Sequence, residues 1–249
     1  MITAAVYRML ASSGLLVGVL IGLVTAPPRR LVAAVIAFGS GVLVSVLTFD
    51  LMGKAFALGS PAFVIVGFLI GALLYVVADM LLERMAACAP KREGPDRRDG
   101  ARAAIGGTAL LVGAVLDGIP ENAAIGISLA AGDQGLGLVL LAAVFLGNVP
   151  ESLCSAAGMR RAGHSRRHVV VVWAVAAVAC TVASVVGYAL LGGLAPDLIG
   201  ALLALAAGGI LAMLADTMMP DAFEDGGPLV AMATAVGFAC AFLLSHLTG

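Results

Sequence analysis

Charged, Gly-rich or Pro-containing interruptions cut this sequence into apolar runs, each about as long as a bilayer is thick. The runs cover residues 2–24, 31–53, 61–83, 104–130, 135–158, 169–192, 198–221 and 228–247. Crossing ~30 Å of hydrocarbon takes about 20 mostly apolar helical residues. Only helices or closed barrels satisfy every backbone N–H and C=O there. The pattern predicts an all-α, polytopic membrane protein: a single transmembrane domain over residues 1–249 with eight transmembrane helices. Composition decides against a soluble alternative, because 12% of residues are charged, against about 25% in a soluble domain. The net charge of −1 supplies no basic field for nucleic acid. The first run follows Arg8 as a signal peptide would, but Ala26-Pro27-Pro28 is a poor cleavage site. It reads as the first span.

Lysine and arginine set the orientation. The first, third and fifth interruptions hold twelve of them: Arg29 and Arg30; Arg84, Lys91, Arg92, Arg97, Arg98 and Arg102; Arg160, Arg161, Arg166 and Arg167. The opposite side holds only Arg8 and Lys54. By the positive-inside rule the odd loops are cytoplasmic, including the long loop 84–103, and both termini are extracytoplasmic. The expected location is a cell membrane, the bacterial inner membrane. Small residues are abundant enough along the spans to permit a homodimer.

An ionisable residue near the middle of a span is costly and persists only with a partner, a wet cavity or a task. Span four contains Asp117-Gly118-Ile119-Pro120-Glu121-Asn122 and span five Gly147-Asn148-Val149-Pro150-Glu151-Ser152. Asp117 and Glu121 are four apart, Asn148 and Glu151 three apart, so each pair shares a helix face. Pro120 and Pro150 lack an N–H and release the carbonyls of Leu116 and Leu146. Clustered oxygens of this kind suit divalent cations. Asp50 closes span two and Asp216 closes span seven. At an offset of 167 residues Gly41/Gly208, Met52/Met219, Ala55/Ala222 and Phe56/Phe223 are identical. With opposite orientations for spans two and seven, this predicts a 3+2+3 inverted repeat, from which many secondary transporters are built.

Other residues carry less. Cys88, Cys154, Cys180 and Cys240 form no CxxC pair and read as small apolar helix residues. His164 and His168 share a loop with four arginines, His246 sits at the tail, and Trp173 is expected to pack on a neighbouring helix or lipid. Asp79, Glu83, Asp221 and Glu224 read as solvated helix ends. An enzyme is not expected. HExxH is absent, no Lys or Arg lies inside a span to hold a phosphate, and no Gly-x-Gly-Asp motif marks an intramembrane aspartyl protease. A proton-coupled transporter or a cation channel for another substrate fits the same scaffold.

The paired Pro-Glu motifs, the eight spans and the long cytoplasmic loop after span three resemble the ZIP family of divalent metal transporters. The family's span-four signature, roughly His-Asn-x-Pro-Glu-Gly, stands here as Asp117-Gly118-Ile119-Pro120-Glu121-Asn122. Its span-five counterpart is Gly147-Asn148-Val149-Pro150-Glu151-Ser152, and Asp216-Thr217-Met218-Met219-Pro220-Asp221 matches an acidic segment in span seven. The resemblance implies a metal site between spans four and five formed by Asp117, Glu121, Asn148 and Glu151, with Asp50 and Asp216 assisting. It implies uptake of zinc, iron or manganese toward the cytoplasm, the ion being cargo and no prosthetic group being needed. Asp117 replaces the family histidine, and Gly118 and Gly147 replace polar residues. Exchanging imidazole for oxygen favours harder ions such as Mn²⁺ or Fe²⁺.

Overall fold

The computed structural model describes residues 2–25, 28–87, 166–191 and 194–248. It also describes 141, 142, 144–146, 148, 149, 152, 153, 155, 156, 159, 160 and 163–165. Among the described residues there is no strand. Helix α1 is Ile2–Val24. Helix α2, Arg29–Ser45, continues through a π-helical segment, Val46–Leu51, into α3, Met52–Leu58. Helix α4 is Pro61–Ala87 and α5 is Arg166–Leu191. Helix α6, Pro196–Met213, continues through a second π-helical segment, Leu214–Met218, into α7, Met219–Gly226; α8 is Val230–Thr248. The described residues between 141 and 160 are also helical. Arg29–Leu58, Pro61–Leu81 and the stretch Pro196–His246 are long and apolar enough to cross a membrane. The expected span 104–130 lies outside the described residues.

Proline and glycine place the breaks. Pro61 and Pro196 open α4 and α6, where a missing N–H costs nothing and φ is already helical. Gly227 follows α7 with φ 65°, a left-handed value that glycine adopts without a Cβ clash.

The chain directions follow from which residues meet. The Ser60 N–H donates to Asp197 Oδ1 at 2.7 Å, so the end of α3 lies beside the start of α6. At the other end Arg29 approaches Asp225 at 3.8 Å. Helices α2–α3 and α6–α7 therefore run antiparallel. Phe49 meets Phe242, and Ser245 meets Asp50, so α2 and α8 run parallel. Gly67 abuts Ala201 and Gly71 abuts Leu205, so α4 and α6 run parallel. Ser12 and Thr181 lie 3.2 Å apart through their hydroxyls, while Val19 and Val169 belong to one apolar cluster; α1 and α5 are antiparallel. Gly14, Gly18 and Gly22 of α1 abut Phe145, Val149 and Leu153 in turn, so the 141–160 stretch runs parallel to α1.

Two crossings with the same construction hold α2, α4, α6 and α8 together. A methyl group on Gly41 would overlap the Thr234 carbonyl oxygen and lie 2.8 Å from Phe238 N. One on Gly208 would overlap the Phe68 oxygen and lie 3.0 Å from Ala72 N. The reciprocal contacts match as well, Gly237 against Phe38 and Gly71 against Leu205. Only glycine lets two helix backbones approach this closely. The apolar clusters at the far ends of these helices also correspond. One holds Ala55, Val64, Leu203 and Ala204, and the other Ala222, Val230, Ala33 and Ala37. The 167-residue register relates Ala55 to Ala222 and Ala37 to Ala204, both members of each pair being buried. A central core of Val42, Val46, Leu47, Leu51, Ile210, Met213 and Leu214 joins the two crossings. A second group, α1 and α5 with residues 156 and 159, is built around Trp173. Trp173 is buried between helices there, as its apolar setting predicts.

Candidate functional site

The described helical residues between 141 and 160 form the seam between the two groups. Leu141 and Val144 belong to the core with Leu47, Leu51 and Leu214, while Phe145, Val149 and Leu153 face the glycines of α1. Asn148, four residues past Val144, shares its face and is 3% exposed. A buried amide has both donors and an acceptor to satisfy, so its place at this seam is a polar point inside apolar packing. The Ser152 hydroxyl, itself fully buried, donates to the Asn148 carbonyl at 2.6 Å and lies 3.3 Å from the Val149 carbonyl.

Asp50 and Asp216 stand in the two π-helical segments. Such segments insert a residue into the α ladder, re-aim the side chains around them, and occur often at functional sites. At 1.5 Å per residue, Asp50 lies about 31 Å along the helix from Arg29 and Asp216 about 30 Å from Pro196. Because the two helices are antiparallel, with Arg29 beside Asp225 and Ser60 beside Asp197, the acids sit on opposite sides of the bundle's middle, about 15 Å apart along its axis. The π segments share one core, with Val46, Leu47 and Leu51 packing in the cluster that holds Met213 and Leu214.

Their surroundings differ. The Ser245 hydroxyl of α8 donates to Asp50 Oδ1 at 2.6 Å. Next to it Phe49 packs edge-on against Phe238 at 6.0 Å and Phe242 at 5.0 Å. These contacts pin the first π segment to α8. Asp216 is exposed, and its neighbour Thr217 donates to the Met213 carbonyl at 2.8 Å. Register relates Phe49 to Asp216, so aromatic packing on one side stands where a carboxylate stands on the other.

Asp117, Glu121 and Glu151 lie outside the described residues. Asn148, Asp50 and Asp216 are therefore the sequence-expected site residues that the structure places. Among the described residues no three His, Cys, Asp or Glu side chains come within reach of one metal ion. The remaining candidates are peripheral. His164, in the turn before α5, stacks at 4.9 Å on His168 in the first turn of α5, and Arg160 donates to the His164 carbonyl at 2.7 Å. His246 is exposed on α8. The Arg29–Asp225 pair is exposed on both sides and so adds little stability. Sequence reasoning missed Ser245 and the π segments. Ser245 gives no signal beyond being a hydroxyl near the end of the last span, and a π segment has the same apolar composition as the helix around it.

No family model matches the chain, and no curated protein matches it.

Proposed function

We propose that this chain is a divalent metal cation transporter of the bacterial inner membrane. In this reading it has eight spans in a 3+2+3 inverted repeat and both termini outside. A transition metal ion (zinc, iron or manganese) moves toward the cytoplasm through a site between spans four and five. The observation that carries the reading is the placement of one acid in each of two π-helical segments. The segments occupy corresponding positions on antiparallel helices and share a core with the seam that buries Asn148. A transporter needs matching access routes on its two faces, and an inverted repeat supplies them.

The helix directions support the span count. Helices α4 and α6 are parallel, and α5 connects to α6 through a link of a few residues. If each crosses the membrane, α5 starts on the face where α4 ends. The segment 88–165 then makes an even number of crossings, and its length suits two with a loop. The 141–160 stretch, parallel to α1, has the direction that a fifth span requires. Twelve lysines and arginines in the odd loops put those loops inside.

In the proposed cycle a partly hydrated M²⁺ enters past Asp50 and is held by Asp117, Glu121, Asn148 and Glu151. It leaves past Asp216. Helix α2 packs on α8 and α4 packs on α6, so the two repeats interlock and cannot rock against each other as separate bodies. The motion that opens the site alternately falls between the α2/α4/α6/α8 group and the α1/α5 group, along the seam at 141–160. Purified protein in liposomes, assayed for Zn²⁺, Mn²⁺, Fe²⁺ and Mg²⁺ uptake, tests the reading. Uptake of Mn²⁺ or Fe²⁺ at least as fast as of Zn²⁺ is expected from the oxygen-only donor set. A metal-independent proton leak with no metal flux would replace the reading by a proton pathway.

A further inference from the structure

Among the described residues the Ser155 hydroxyl is shut off from solvent and has no hydrogen-bond partner. Other hydroxyls in these helices behave differently. Ser40, Thr48, Ser152, Thr181, Thr217 and Thr234 each donate to the carbonyl four residues back, at 2.6–3.2 Å. That bond is the default for a hydroxyl inside a helix, and Ser155 does not make it. Buried polar atoms left unpaired call for an explanation such as a water or an ion that belongs at the spot.

The position says which. Ser155 is seven residues past Asn148 and eleven past Val144, so at 3.6 residues per turn all three lie on one face of the stretch. At Val144 that face packs into the core holding both π segments. By sequence spacing alone, Glu151 is one turn before Ser155 and three residues past Asn148. With the direction of span five set as above, Ser155 lies about 10 Å to the cytoplasmic side of Asn148. Resting on the transport reading, we propose that Ser155 is a further ligand of the transported cation. Its neutral hydroxyl oxygen takes the partly hydrated divalent ion on the cytoplasmic side of the carboxylates. A ligand without charge binds a divalent ion more weakly than a carboxylate does, which suits release rather than storage.

The test uses full-length protein in liposomes, in a Cys154→Ala background, with Ser155→Ala, Ser155→Thr and Ser155→Cys. Ser155→Ala raises the KM for Mn²⁺ about tenfold, the loss typical when one supporting group of a metal site is removed, and Ser155→Thr restores it. Ser155→Cys fills nearly the same space but offers sulfur. It shifts the Zn²⁺/Mn²⁺ uptake ratio toward Zn²⁺ and reacts with a water-soluble methanethiosulfonate reagent from the cytoplasmic face, Mn²⁺ slowing the reaction. A packing role predicts none of these changes in Ser155→Cys. Unaltered metal ratio together with no labelling at residue 155 overturns the proposal. If the parent protein carries no divalent metal, the transport reading fails on its own. Labelling of Ser155→Cys and its protection by Mn²⁺ then still decide whether Ser155 faces a wet metal site.

Discussion

Replacing Gly41 or Gly208 by alanine should destabilise the protein by nearly equal amounts, because the two methyl groups meet the same obstacles. At Gly41 the new carbon overlaps the Thr234 carbonyl oxygen with Phe238 N at 2.8 Å. At Gly208 it overlaps the Phe68 oxygen with Ala72 N at 3.0 Å. Both obstacles are backbone in the middle of a packed helix, so neither can swing away as a side chain would. Overpacking of this kind costs about 1–3 kcal/mol, and overlap with backbone on both sides puts these sites at the upper end. Alanine's better helix propensity returns up to about 1 kcal/mol, leaving a net loss of about 2 kcal/mol for each variant. For a chain of this size that lowers the apparent Tm by about 4–8 °C. Gly53→Ala is the control: nothing lies within 4 Å of its methyl group, so it should leave the Tm unchanged or raise it. The assay is thermal unfolding of purified protein in one detergent, all variants side by side. Equal Tm values for Gly41→Ala, Gly53→Ala and the parent would refute the close crossing. A large loss at Gly41 with none at Gly208 would refute the correspondence between the two halves.

Glu121→Gln and Glu151→Gln should each abolish metal uptake while the protein still inserts in the membrane, measured as flux against membrane-fraction abundance; unchanged flux in both would reject the carboxylate site. Ser245→Ala removes one donor to Asp50, an interaction worth about 1.5–3 kcal/mol when charged and well shielded, and less here because Asp50 is half-exposed. A Tm drop of a few degrees and a raised KM for uptake are the expected readouts. Arg29→Ala should change stability by less than about 0.5 kcal/mol, since its ion pair with Asp225 is exposed on both sides. A cysteine at Gly163 should react with an impermeant thiol reagent only from the cytoplasmic face, and one at Gly249 only from outside. The reverse pattern would invert the topology.

The helical stretches were legible because a bilayer imposes a length and a polarity that a sequence cannot disguise. Apolar runs bounded by Pro61, Pro196 and Gly227 became helices that start or stop at those residues. The internal match at 167 residues was legible at four identities, and packing now explains two of them, the glycines and the alanines. Gly41 and Gly208 sit at backbone crossings, Ala55 and Ala222 are completely buried, and Phe56 and Phe223 are both exposed on the outer surface. The match between α4 and α8 was not legible. Phe68 and Thr234 share no side-chain chemistry and correspond only because each offers a carbonyl oxygen to a glycine. A backbone role leaves no trace in residue type. The same holds for the π segments, whose register shift is set by tertiary packing rather than by composition.

That blindness bears on the site itself. Spacing rules for α-helices place Asp50 and Lys54, or Asp216 and Pro220, one turn apart, but each acid stands in a π segment where the ladder steps by five residues instead of four. An α-helical reading therefore mis-aims every side chain past Val46 and Leu214 by part of a turn. Both acids lie just beyond those points, Asp50 oriented by Ser245 and Asp216 exposed. A deletion that restores the α register, such as removal of Thr48 or of Ala215, would keep the composition and turn the acid away. If the π segments exist to aim the carboxylates, either deletion should suppress metal uptake as strongly as Asp50→Asn or Asp216→Asn does. Retained uptake in the deletions, with loss in the substitutions, would show that the acids matter and their re-aiming does not.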